Sequence, residues 1–148
     1  RDNYDIVIAD TGQFWSGLTG ELLCNSSLVL IVMDQRRASA YGAIKALELC
    51  QRLGIPMARI AFVLNRASGM SHSEIERIED SLGCEELFHL ADGKTTIEAL
   101  VGMGRIEELV EEGPAPIPDI ELLLTKLLPR IGIEFPAIER KKTRRFFT

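Results

Sequence analysis

Four short apolar runs punctuate the chain, and polar residues end each of them. Residues 4–9 stop at Asp10-Thr11-Gly12, residues 27–33 at Asp34, residues 59–64 at Asn65-Arg66, and residues 86–90 just before Asp92-Gly93. All four runs predict strands, and the 4–9 and 27–33 runs, rich in Ile, Val and Leu without alternation, predict strands covered on both faces, as in the middle of a parallel sheet. Between them the apolar spacing changes to the helical period. A short helix is expected near 18–24, after a loop in which Phe14 and Trp15 are expected to pack beneath their surroundings. A longer helix is expected over 38–53, with Ser39 as its cap, Ala43, Leu47, Cys50 and Leu53 on one face, Gly54 closing it and Pro56 preventing its continuation. Ser71 and Glu74 form a capping-box signature ahead of Ile75, Ile78 and Leu82, with Gly83 as the stop.

Ile97, Leu100 and Val101 suggest a further helix, interrupted by Gly102 and Gly104. Residues 113–118 (Gly-Pro-Ala-Pro-Ile-Pro) read as a rigid linker. Beyond it, Ile120, Leu123, Leu124, Leu127, Leu128 and Ile131 give residues 119–132 an apolar stripe that must lie on the body. Strand, helix, strand at this spacing is the βαβ unit. The fold class is therefore α/β, a mostly parallel sheet with flanking helices, and residues 1–112 form its main part.

Composition refines this picture in one place. The 148 residues carry a formal charge of −5, but residues 139–148 hold five bases and one acid. The body is left at −9, a poor nucleic-acid surface by itself. The basic tail, residues 133–148, pairs Arg140, Lys141, Lys142, Arg144 and Arg145 with Phe146 and Phe147. It reads either as a solvated segment or as a contact for anionic lipid or DNA. Cys24, Cys50 and Cys84 are widely spaced within apolar stretches and are expected to be reduced thiols. His72 and His89 lack metal-ligand company. No apolar run approaches the roughly 18 residues that a spanning helix needs, so the expected location is cytoplasmic, with the inner membrane face as a peripheral site.

Ligands of parallel sheets bind at the carboxyl ends of the strands. Asp10-Thr11-Gly12, Asn65-Arg66 and Asp92-Gly93 would line one crevice there. Asp10 is placed either to hold a metal through water or simply to cap the turn. Gly12 permits a sharp turn or a close approach of a ligand.

In this order and spacing the motifs resemble the ParA and MinD group of P-loop ATPases over roughly residues 4–104. YDIVIADTG resembles the Walker B strand and switch. The stretch from Ser27 to Ala67 resembles the next strand, helix and adenine-reading Asn-Arg strand, and LFHLADGKTTIEALVGMG resembles the acid-containing segment that follows. The nearest branch is CpaE and TadZ of pilus assembly, with division-site, flagellar-number and partition proteins as neighbours. The resemblance implies ATP and Mg²⁺ as cofactors. It implies Asp10 as the metal-holding acid, with Thr11 and Gly12 as the γ-phosphate switch. Asn65 would read the base through an amide that donates and accepts together; Arg66 would lie along base or sugar, and Asp92 beside them. Partners would be a second copy in an ATP-dependent homodimer, together with a protein partner.

One departure is large: the chain contains no G-x-x-x-x-G-K-[ST] loop. It therefore reads as the carboxyl-terminal half of such a protein, with the amino-terminal P-loop portion expected outside it. By itself it is expected not to bind or hydrolyse ATP tightly. The alternative is a non-catalytic scaffold that keeps the fold and recruits protein partners.

Overall fold

The computed structural model describes residues 3–12 and 15–135. Phe14 and the basic tail from Arg140 to Phe147 lie outside the described residues. The first described apolar run forms no strand. Residues 6–11 belong to no strand or helix, and Ile8 is 89% exposed. This corrects the expected first strand, and the physical reason is plain: a strand's backbone groups need a partner ladder, and none of the described strands pairs with it.

The first described helix is α1 (Gly17–Asn25), whose first turn is capped by Ser16 Oγ accepting from Thr19 N at 3.2 Å. Its other end is held from a distance. The Arg59 guanidinium donates to the carbonyls of Leu23, Cys24 and Ser26, satisfying helix-end acceptors at the negative pole of the dipole.

Three strands then form a parallel sheet in the order β1 (Val29–Met33), β2 (Ile60–Ala67), β3 (Leu87–Ala91). The α/β class is as expected. α2 (Arg37–Arg52) joins β1 to β2 by way of a short 3-10 turn, Met57–Arg59, and α3 (His72–Leu82) joins β2 to β3. Both helices cover one face, where Val29, Ile31, Met33, Ile60, Phe62, Leu64 and Leu87 meet Ala43, Ala46, Leu47, Cys50 and Leu82. On the other face α6 (Ile117–Leu127) inserts Leu123 and Leu127 against Ala61, Val63 and Phe88. The expected amphipathic helix therefore does lie on the body, although it begins two residues early and its last turn, Leu128–Ile131, is 3-10.

α6 covers β2 and β3 but stops short of β1. Leu30 and Val32 pair in register with Ala61 and Val63, yet they are 45% and 58% exposed. Burial on both faces, expected of the 27–33 run, holds for β2 and not for β1. β1 is one of the two edge strands, and its face on the α6 side is uncovered.

The α3 capping box forms as read. Ser71 N and Oγ both donate to Glu74 Oε2, at 2.9 and 2.7 Å, and Gly83 ends the helix in the left-handed region at φ 60°. Ser39 is not a cap, because α2 already begins at Arg37; its Oγ instead accepts from Asp34 N at 3.0 Å. Trp15, expected to pack, is 55% exposed. Sequence reading missed one helix: α4 (Lys94–Gly102) is followed by α5 (Ile106–Glu112), the two forming a hairpin across Gly104. All three cysteines are free, and burial pushes the Cys50 and Cys84 thiols up from their ordinary value.

Candidate functional site

Parallel pairing brings the ends of β1, β2 and β3 to one edge of the sheet, and polar residues follow each strand there. β2 carries the unusual feature. Leu64 pairs with His89, but the next pairing is Ala67 with Ala91, so β2 holds one extra residue at Asn65-Arg66. Arg66 takes the left-handed conformation at φ 57°, which a non-glycine side chain adopts only when its surroundings hold it there. Such a bulge re-aims side chains at the end of a strand. Here it leaves Asn65 half-buried and Arg66 exposed at the sheet edge.

Two contacts hold the bulge. Asn65 Oδ1 accepts from Arg66 N at 3.0 Å, which leaves the amide Nδ2 donors and a second lone pair available. Gln35, just after β1, donates through Nε2 to the carbonyls of Arg66 at 2.7 Å and Ser68 at 2.9 Å. The loops after β1 and β2 are thereby tied together.

Asp34, at the end of β1, accepts from Arg36 Nε at 2.8 Å and Arg36 N at 3.0 Å. The Arg36 side-chain hydrogen bond, then its backbone N–H, holds the Asp34 carboxyl below its ordinary value. At the end of β3, Asp92 Oδ1 accepts from Lys94 N at 3.1 Å, and Lys94 is the second left-handed non-glycine residue, at φ 49°. From α6, Asp119 Oδ2 reaches Ala91 N at 2.8 Å and fixes the height of this loop. Gly93 sits in a place only glycine fits: a Cβ there would stand 2.1 Å from Ile97 Cγ1 and 2.7 Å from the Ala115 carbonyl oxygen. The chain after α5 thus closes directly over the β3 loop.

Of the six residues singled out from sequence, the structure brings Asn65, Arg66 and Asp92 to this edge. It does not bring Asp10, Thr11 and Gly12 there. Ala9 and Thr11 line a separate cleft of about 80 Å³ with Leu22, Leu23, Ser26, Leu28, Val29 and Leu30, beside the start of β1. Asp10 is exposed and its Oδ1 accepts from Gly12 N at 3.0 Å, a turn that Gly12 completes at φ 60°. This is the turn-capping arrangement. The convergence of three strand ends is corrected to the ends of β1, β2 and β3, because residues 6–9 have no ladder to carry Asp10 to the edge. Among the described residues no group of three or more His, Cys, Asp or Glu side chains gathers to hold a metal.

Gln35, Asp34 and Asp119 belong to the site, although the sequence reading gave them no role in it. Asp34 carried the right signal, an acid directly after an apolar run. Gln35 and Asp119 carried none, since their partners lie 31 and 28 residues away.

The edge offers the Asn65 amide, the exposed Arg66 guanidinium and the carboxylates of Asp34, Asp92 and Asp119 along about three strands' width, suited to a planar polar ligand. Compared with known proteins, the chain matches no family model, no curated protein and no solved structure. Among the described residues no helix is long and apolar enough to cross a membrane.

Proposed function

We propose that the chain is the base-reading half of a ParA/MinD-type ATPase, a dimerising spatial regulator of the kind that positions pili, chromosomes or division sites. The observation that carries this reading is the bulge at Asn65-Arg66, held by Gln35 beside the Asp92 turn. Asn65 Nδ2 and its remaining lone pair match the acceptor and donor along an adenine edge, and Arg66 lies exposed alongside for base or sugar.

Hydrolysis in this reading needs a phosphate-binding loop, which these 148 residues lack. The open edge of β1, with Leu30 and Val32 uncovered, supports the same reading: a sheet of this kind continues past β1, and residues 6–9 would join it there. Asp10 would then reach the carboxyl edge, where a single carboxylate and the nucleotide phosphates suffice to hold Mg²⁺. The ion would neutralise charge on the β and γ phosphates, and Thr11 and Gly12 would sense the γ-phosphate. The missing loop equally favours a second reading for this chain alone, a scaffold that keeps the fold and recruits protein partners.

Titration of the ¹⁵N-labelled chain with adenosine and with guanosine tests the proposal without needing phosphates. Adenosine is expected to shift the amides of residues 65–66 and 91–94, and guanosine to leave them in place. Equal shifts from both nucleosides, or none from either, would remove the base-reading role.

A further inference from the structure

Both backbone polar groups of Arg66 are held by side-chain amides. Its N–H donates to Asn65 Oδ1 at 3.0 Å, and its carbonyl accepts from Gln35 Nε2 at 2.7 Å. β1 stops pairing with β2 at Met33 and Leu64, and counting on in the same parallel register puts Gln35 level with Arg66. The Gln35 side chain therefore takes over where the β1 backbone ends. Its Nε2 donates to the carbonyls of Arg66 and Ser68, and because carbonyls can only accept, the NH2 end of the amide must face them. The loop that carries Gln35 is itself braced: the Asp34 carboxylate accepts from Arg36 N at 3.0 Å, and Asp34 N donates to Ser39 Oγ at 3.0 Å.

We propose that Gln35 is the positioning residue of this edge: by holding the Arg66 carbonyl it keeps Arg66 at φ 57° and thereby aims the Asn65 amide. An L side chain resists the left-handed region because its Cβ crowds the following carbonyl oxygen, so Arg66 returns to a negative φ once that carbonyl is released. Rotation about φ swings the Arg66 N–H relative to the chain that follows. Asn65 Oδ1 then loses the donor that fixes its orientation. A nucleoside, which on the base-reading proposal binds Asn65 and on which this consequence rests, would meet an amide that is no longer aimed. Gln35 thus governs affinity through Asn65 rather than by contact with the base.

Nuclear magnetic resonance of the full chain reads the conformation before any ligand is added. At positive φ the amide hydrogen and Hα of Arg66 stand close together and give an intense cross-peak within the residue. Gln35→Glu puts a carboxylate against the two carbonyls. It is expected to abolish that cross-peak, move the Asn65 side-chain amide resonances and weaken adenosine binding about tenfold, while residues 60–64 keep the parent's shifts. Gln35→Ala is expected to act in the same direction without an added charge. In the Arg66→Gly background a positive φ carries no steric penalty, so there Gln35→Ala is expected to leave the Asn65 resonances in place and adenosine affinity within about twofold. A cross-peak that survives both Gln35 variants would overturn the proposal, as would a Gln35→Ala effect undiminished in the Arg66→Gly background. A parent chain that ignores adenosine, with variants that still lose the cross-peak, would remove the base-reading role and leave the positioning of Asn65 by Gln35 standing.

Discussion

Residues 6–9 and residues 60–64 are nearly interchangeable as sequence, Ile-Val-Ile-Ala against Ile-Ala-Phe-Val-Leu, yet they end in opposite surroundings. Leu64 is fully buried and Ile8 is 89% exposed. The difference lies in neighbours. β2 has a strand on each side, α2 and α3 on one face and α6 on the other. Residues 6–9 have no paired strand, and only Ala9 reaches the cleft beside β1. An apolar run of this kind states a requirement for burial, and the rest of the molecule decides whether it is met.

The comparison breaks most visibly in the core. Leu64→Ala is expected to cost about 3 kcal/mol, whereas Ile8→Ala should stay within about 0.5 kcal/mol of the parent, both read as urea unfolding midpoints. A comparable loss from Ile8→Ala would mean that residues 6–9 are packed in solution. A narrower version of the contrast runs across the β1–β2 register. Val63 and Val32 are direct partners with buried and open surroundings, so Val63→Thr should cost about 1–2 kcal/mol through its buried hydroxyl. Val32→Thr is expected to change little by the same measurement.

The smallest expected effect is one of pH. Ser71 N–H, then its hydroxyl, donates to the Glu74 carboxylate and lowers its pKa from the ordinary value. A carboxyl whose pKa is lower folded than unfolded adds stability above the unfolded range and loses it as pH falls through the folded value. Glu74→Gln removes that dependence. The thermal midpoints of parent and variant should converge in acid and separate above the usual carboxylate range; a gap that does not change with pH would show that the box contributes no charge-linked stability.

The fold was legible where a local signal had a local cause. The βαβ spacing, the Ser71–Glu74 box, the Gly83 stop and the stripe of Leu123 and Leu127 all act within a few residues, and each stands where the sequence put it. Features that depend on distant partners were not legible. The β1 face left bare by α6, the unpaired 6–9 segment and the bulge at Asn65-Arg66 arise from strand pairing and register. α5 was hidden because Gly102 and Gly104 read as an end, while Ile106, Leu109 and Val110 fill little more than one turn, too short a stripe to announce a seven-residue helix. In the candidate site, Asn65, Arg66 and Asp92 were recognisable as strand-end chemistry. The side chains that position them, Gln35 and Asp119, reach across from other elements and left no mark in the local pattern.

Whether the bulged Asn65 reads an adenine edge, as proposed, is decided by comparing the parent chain with Asn65→Ala in the adenosine titration. The account predicts that adenosine shifts the amides of residues 65–66 and 91–94 in the parent, that guanosine does not, and that the substitution abolishes the difference while the remaining spectrum stays that of the folded chain. An adenosine response that survives Asn65→Ala with its base preference intact would contradict it.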